Sequence, residues 1–363
     1  MNLVLVSSDD QCGVKECTII MRDGFEANGH RARRIGVERH SKADLNSKLR
    51  EVAPDDELVI FEYEPGIFEL PHLLPALARL RLLRRKRVYL SIHELEPAKL
   101  PQYHFILWRL NEPIWEHSIK EPYRWIRGIG DVVYRYATMR LQLSLLGALV
   151  NRFIVHSPRT LASAKMVTAD QSKVRCVPLA VKPLDGDRDE IRRELGLPRA
   201  PFAFIVPGFL FRRKRITDAI DQLPDGTELW VVGSTSDYDP GYLEEIEAHV
   251  ARTRKRDQVR IIQDYDGMER YLQAADVVVL YYREIFQSAV ASLATGALKP
   301  CIFSDLPGFA EFRDAGITVR DNEQLRQAML DIQDPQRYQM LVQGAKRLRE
   351  LHSPEKTAQE YLR

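Results

Sequence analysis

The sequence predicts an α/β protein of two doubly wound, parallel-sheet domains facing a cleft. Short apolar runs alternate with amphipathic helical stretches almost throughout, the pattern of parallel strands covered by helices on both faces. At 363 residues the chain is too long for one small core and suits two domains of ordinary size. A polar, turn-rich stretch, Pro183-Leu184-Asp185-Gly186-Asp187, marks the join. The expected division is residues 1–184, then 185–345, with 346–363 a C-terminal helix placed to pack back on the first domain.

In the first half the expected strands are Leu3–Val6, Arg34–Val37, Glu57–Glu62, Arg87–Ile92 and Phe153–His156. The opening run ends in Ser7-Ser8-Asp9-Asp10 and lacks the basic leader and long apolar core of a signal peptide, so it is expected to be a strand. Helices are expected over Val14–Asn28, closed by Gly29-His30, and over Phe68–Leu83. In the second half the expected strands are Phe202–Val206, Glu228–Val232, Val259–Ile262, Asp276–Leu280, Cys301–Ser304 and Ile317–Val319, with helices between them.

Bulk properties exclude several classes. With 45% hydrophobic and 29% charged residues the composition is that of a soluble globular protein. A net charge of only +2 argues against a nucleic-acid partner. Cys12, Cys17, Cys176 and Cys301 are scattered and form no C-x-x-C pair, which argues against a zinc site or a disulfide framework and for a reducing cytoplasm. No apolar run approaches the length of a membrane span. Neither half carries G-x-G-x-x-G after its first strand, and there is no G-x-x-x-x-G-K-[ST], so neither a dinucleotide site nor a P-loop is indicated.

Two strand-to-helix loops in the second half stand out. Asp276-Val277-Val278-Val279-Leu280 runs into Tyr282-Arg283-Glu284-Ile285-Phe286-Gln287-Ser288-Ala289, and a helix follows to about Leu298. Free backbone N–H groups and the helix dipole there suit an anion. The backbone of Gln287, Ser288 and Ala289 is expected to meet phosphate oxygens, and Glu284 a sugar hydroxyl; equally, the segment is an ordinary connection with Ser288 near the cap. Upstream, Gly208-Phe209-Leu210-Phe211-Arg212-Arg213-Lys214 places a basic cluster after another buried strand. Basic residues at a helix start oppose the dipole unless an anion is present, and Lys214 suits phosphate as a point charge. Together the two loops suggest a diphosphate held between them.

In the first half His93-Glu94 follows an expected strand at its carboxyl end, where a histidine can share a proton with a reacting oxygen or serve as a structural group. Cys12-Gly13 forms the first strand-to-helix turn, where glycine allows close approach of a substrate or simply a tight turn. Arg79, Arg81, Arg84, Arg85, Lys86 and Arg87 crowd a leucine-rich helix end, and aromatics such as Trp108, Trp115, Trp125, Tyr134 and Tyr136 follow among arginines. This composition suits peripheral contact with an anionic membrane; the alternative is that the leucine face packs the core and the basic end is solvated, its arginines favouring the helix dipole.

In order and spacing these segments resemble the retaining, nucleotide-sugar-dependent glycosyltransferases of family 4, which have the GT-B fold. The resemblance runs through Cys12-Gly13-Val14-Lys15-Glu16-Cys17-Thr18, Gly29-His30, Glu62-Tyr63-Glu64-Pro65-Gly66, Ser91-Ile92-His93-Glu94, Gly208 to Lys214, and Ala274 to Glu284. It implies transfer of a sugar from a nucleoside diphosphate to a glycan or lipid-linked acceptor, in polysaccharide or cell-envelope glycan synthesis. Lys214 with Arg213 would stabilise the leaving diphosphate beside Gly208, His93 would lie against the donor sugar, and Glu284 would orient a sugar hydroxyl. Cys12, Gly13 and Glu94 would face the acceptor. No metal or other cofactor is implied, and the location is cytoplasmic, with contact at the inner membrane face. Members often carry two glutamates with seven residues between them; from Glu284 that spacing lands on Ser292. The family's Gly-Lys-Pro turn is Leu298-Lys299-Pro300 here, and Phe209 follows the loop glycine where an arginine is common. A GT-B sugar-nucleotide epimerase and a degenerate, non-catalytic partner subunit are the alternatives.

Overall fold

Near-continuous Val, Ile, Leu and Phe runs such as Leu58–Tyr63, buried at every position, demand cover on both faces of a sheet. The computed structural model describes residues 1–10, 12–64, 67–93, 137, 140–197, 201–236, 239–285 and 287–363. Its contacts divide the chain into two units, Met1–Pro178 with Thr357–Arg363, and Leu179–Lys356.

The first unit is built on strands β1 (Asn2–Ser8), β2 (Arg31–Val37), β3 (Leu58–Tyr63), β4 (Arg87–Ile92), β5 (Arg152–Val155) and β6 (Val174–Cys176). They lie in the order β2-β1-β3-β4-β5-β6, all parallel. The chain steps outward from β1 to β2, then reverses across β1 to β3. Every expected strand of this half forms. The sixth, β6, was not expected: three residues are too few to display a period.

The second unit uses β7 (Phe202–Pro207), β8 (Thr227–Val232), β9 (Val259–Ile262), β10 (Val277–Leu280), β11 (Cys301–Ser304) and β12 (Gly316–Val319). Their order is β12-β11-β10-β7-β8-β9, again parallel, so the direction of winding reverses between β7 and β10. Alternate residues feed two cores. Phe204, Val206, Leu229, Val231, Val277 and Val279 pack on one face, and Ala203, Ile205, Trp230, Val232, Val278 and Leu280 on the other.

Helix Gly13–Ala27 forms nearly as expected and closes at Gly29, whose φ of 76° is the left-handed conformation glycine permits. The single helix expected over Phe68–Leu83 is instead a helix at Leu70–Ala78 running into a wider π-type turn at Arg79–Leu83. Pro75 lies inside the helix and has no N–H to donate. The basic run that follows is not a uniform surface. Lys86 is buried, and its ammonium donates to the carbonyls of Ala53, Pro54 and Asp56 at 3.0, 2.7 and 2.6 Å. Arg84 donates to the carbonyls of Leu49 and Val52. Leu82 and Leu83 are 67% and 78% exposed, with Arg79, Arg85 and Arg87 exposed around them. Trp108 to Tyr136 lie outside the described residues.

The final helix, Pro354–Leu362, brings buried Tyr361 against Phe25, ring centroids 6.0 Å apart.

Candidate functional site

In the second unit the two loops picked out in the sequence leave neighbouring strands. One follows β7 and the other β10, on either side of the reversal in strand order, where open α/β sheets bind ligands at their carboxyl edge. A backbone bond joins them: Arg283 N–H donates to the Arg213 carbonyl at 2.8 Å. Gly208 turns with φ 93°. Gly233, after β8, sits so close that a Cβ there would overlap the Gly208 carbonyl.

Lys214 is buried under this turn, and its Nζ donates to the Pro207 carbonyl at 2.6 Å. A Cβ at Gly208 would lie 3.1 Å from that Nζ and 3.7 Å from Val290, so glycine makes the room in which lysine and helix meet. Burial, and then the Arg213 charge, push the Lys214 ammonium down to about 7. Its Nζ lies 5.8 Å from the centre of the Tyr282 ring.

The four basic residues of the cluster divide by role. Arg212 pairs with Asp239 and Glu245. Arg215 pairs with Asp218 and lies 3.9 Å over the Tyr281 ring. Those two are therefore structural. Arg213 is exposed, stacks 4.8 Å over Phe211 and has no acidic partner among the described residues. Of this cluster, Lys214 and Arg213 are the cationic groups left for a ligand.

Helix Ala289–Gly296 begins at Ser288, whose buried hydroxyl accepts from the Ala291 N–H at 3.1 Å. Ala289 is its first residue, and Gln287 precedes the cap. Glu284 lies exposed in the loop. Ser292 is buried one turn in, and its Oγ has no hydrogen-bond partner among the described residues; nor has the Tyr282 hydroxyl, which burial holds well above the usual phenol range. Residue type alone does not mark Tyr282 as part of the site. Its signal was position, directly after a buried strand.

In the first unit His93 follows β4 and donates from Nε2 to Glu62 Oε2, 2.7 Å away, on neighbouring β3. The His156 ring, after β5, lies 4.9 Å from the His93 ring. His156 Nδ1 donates to the Val177 carbonyl at 2.9 Å, and its Nε2 meets Ser91 Oγ at 2.9 Å. Ser91 Oγ in turn meets the Tyr361 hydroxyl at 3.1 Å. Burial, and then the His93 charge, push His156 down to about 4. Burial alone would raise the Glu62 carboxyl, but the His93 hydrogen bond and charge outweigh it and hold it below the usual range.

Glu62, His93 and His156 are also the one group of metal-ligating type among the described residues, with ligand atoms within 4.8 Å of one another. Both nitrogens of His156 and Nε2 of His93 are engaged in hydrogen bonds, while Glu62 Oε1 is buried with no partner among the described residues. Cys12 caps helix Gly13–Ala27 without a side-chain hydrogen bond, and Gly13 is exposed at its first position. Glu94 lies outside the described residues. Sequence reasoning missed Glu62, His156 and Tyr361 as site neighbours; 270 positions separate Ser91 from Tyr361, and no local pattern links them.

Residues 208–334, which span both loops of the second unit, match the family model of glycosyl transferases group 1. The fold of the chain is GT-B. Anabaena HepE, solved with UDP-glucose, is similar to this chain with a TM-score of 0.72 at 13% identity, over 100% of this chain and 99% of that one. Sucrose-phosphate synthase from Thermosynechococcus elongatus gives 0.67 at 16% identity, over 99% and 97%. WaaG, a glycosyltransferase involved in lipopolysaccharide biosynthesis, gives 0.60 at 14% identity, over 99% of each chain. No curated protein matches this GT-B chain in sequence.

Proposed function

We propose that this protein transfers a sugar, a hexose or a related residue, from a nucleoside diphosphate to a glycan or lipid-linked acceptor, with retention at the anomeric carbon. The observation that carries it is a buried lysine with a depressed ammonium, joined by the Arg213–Arg283 bond to a loop that opens a helix N-terminus. A desolvated lysine is costly without an anion and effective with one. As the sugar leaves, negative charge grows on the diphosphate. Lys214, Arg213 and the N–H groups of Ser288 and Ala289 meet it, so no metal is required in this scheme. Glu284 holds a sugar hydroxyl, Ser292 takes the place of a second glutamate, and His93 serves the donor sugar. HepE solved with UDP and with UDP-glucose makes uridine the first base to test. WaaG's role in lipopolysaccharide biosynthesis supports an envelope glycan.

No helix among the described residues is long and apolar enough to cross a membrane. Exposed Leu82 and Leu83, ringed by arginines, support contact with an anionic membrane surface instead.

A thermal-shift screen against UDP, GDP, ADP, TDP and CMP, with their sugar conjugates, tests the donor site. A shift with one nucleoside diphosphate, lost in Lys214→Ala, is the expected result. No shift with any of them would remove the function. Product from a sugar nucleotide without acceptor would favour the epimerase.

A further inference from the structure

Hydrogen-bond direction fixes the protons of the first unit's buried cluster. A carbonyl only accepts, so His156 carries its proton on Nδ1, toward Val177. The buried ring is neutral, so Nε2 accepts and the Ser91 hydroxyl donates to it. Ser91 has then spent its one proton, and Tyr361 must donate to Ser91 Oγ. The chain runs one way, from Tyr361 through Ser91 to His156 and Val177. A His156 held neutral cannot compete for the Glu62 carboxylate, which is 1% exposed. Glu62 Oε2 accepts from His93, whose proton therefore sits on Nε2, and Ser91 is the other hydroxyl that bears on this carboxylate. Nδ1 of His93 makes no hydrogen bond among the described residues. Two further titratable groups feel the Glu62 charge, Cys17 on helix Gly13–Ala27 and Tyr361; burial and then that charge push both up, the thiol to about 12, so both stay neutral.

We propose that Glu62 is the positioning residue of His93: it holds the proton on Nε2 and leaves Nδ1 as the nitrogen offered to a substrate hydroxyl. A buried carboxylate orients the general base of serine-protease triads in the same way. This assignment rests on the proposed sugar transfer only for the identity of the hydroxyl.

The test is a two-bond 1H–15N spectrum of the full chain labelled in histidine, recorded through a pH series to its alkaline limit, where the tautomers are read. Signals are assigned with His93→Gln and His156→Gln. Opposite tautomers are expected, Nε2–H on His93 and Nδ1–H on His156. Glu62→Gln, which is isosteric, should turn His93 into a mixture and leave His156 unchanged. It should also lower kcat on the order of 100-fold, with the donor KM little changed and the pH profile altered. An Nδ1–H tautomer on His93 in the wild-type protein overturns the assignment without need of any variant. So does Glu62→Gln with wild-type kcat and pH profile in a protein that does transfer sugar. The expected tautomers in a protein that transfers none would uphold the assignment and remove the function.

Discussion

Lys214 is the residue whose burial ties stability to pH. Its ordinary value of 10.5 falls to about 7 in the folded chain. Between those values the unfolded chain holds a proton that the folded chain does not. Stability therefore rises with pH across that window, and the lysine is a burden below it. Lys214→Met should remove most of this rise in urea titrations, leaving the smaller part due to Lys299, which burial pushes down to about 8. An identical pH slope in the variant would show that Lys214 is not desolvated. A bound diphosphate favours the charged ammonium, so binding at about pH 8.5 should take up close to one proton. Calorimetry in buffers of different ionisation enthalpy measures that uptake, and none would break the link between Lys214 and the anion. The sequence showed four basic residues here as one cluster. Only packing separated Arg212 and Arg215, spent on Asp239, Glu245 and Asp218, from Lys214 and Arg213. Gly233 carried no signal at all, since its need for glycine comes from the Gly208 carbonyl of a neighbouring loop. Gly233→Ala must move that loop, and should lower nucleotide binding at least tenfold along with stability; unchanged affinity would mean the loop does not hold the ligand.

At the scale of elements, the strands and helix Ala289–Gly296 were legible because burial on both faces and a serine cap are local patterns. Ser288→Ala should cost about 1 kcal/mol in urea unfolding, the worth of an N-cap. The segment after Ala78 was not legible. A run of arginines, lysine and leucines reads as one amphipathic end, yet the polypeptide turns Lys86 inward onto three carbonyls and Leu82 and Leu83 outward. Lys86→Ser should cost about 1–3 kcal/mol, because it leaves the buried Asp56 carbonyl unmet, and says nothing about lipid. Leu82→Ser with Leu83→Ser should leave stability within about 0.5 kcal/mol and weaken binding to vesicles rich in anionic lipid. Undiminished binding would remove the membrane contact. The Leu-Lys-Pro turn shows the same limit: Leu298 stands at φ 55°, where the family's pattern has glycine, and its side chain packs against the cluster of Ala315, Ala345 and Leu348. Sequence spacing flagged the exchange but not the contact that accompanies it.

For the whole molecule, the chain's last residues are part of its first unit. Tyr361 is fully buried, packs on Phe25 and closes the hydrogen-bond chain to His156. Deleting residues 357–363 should destabilise the first unit by about 3–5 kcal/mol, the cost of emptying an aromatic site, and raise hydrogen exchange in β4, β5 and helix Gly13–Ala27. Exchange unchanged there would show that the helix end is dispensable. The sequence by itself determined the two parallel sheets, the positions of eleven of the strands and the two strand-to-helix loops of the second unit, because each is a run of neighbours with one period and one stop. Tertiary structure alone decided which basic residues remain for a ligand, that Glu62, His93, His156 and Tyr361 form one proton-ordered cluster, and that Lys86 belongs to the core. These depend on groups brought together from distant parts of the chain, and desolvation and hydrogen-bond direction act only once they are in contact.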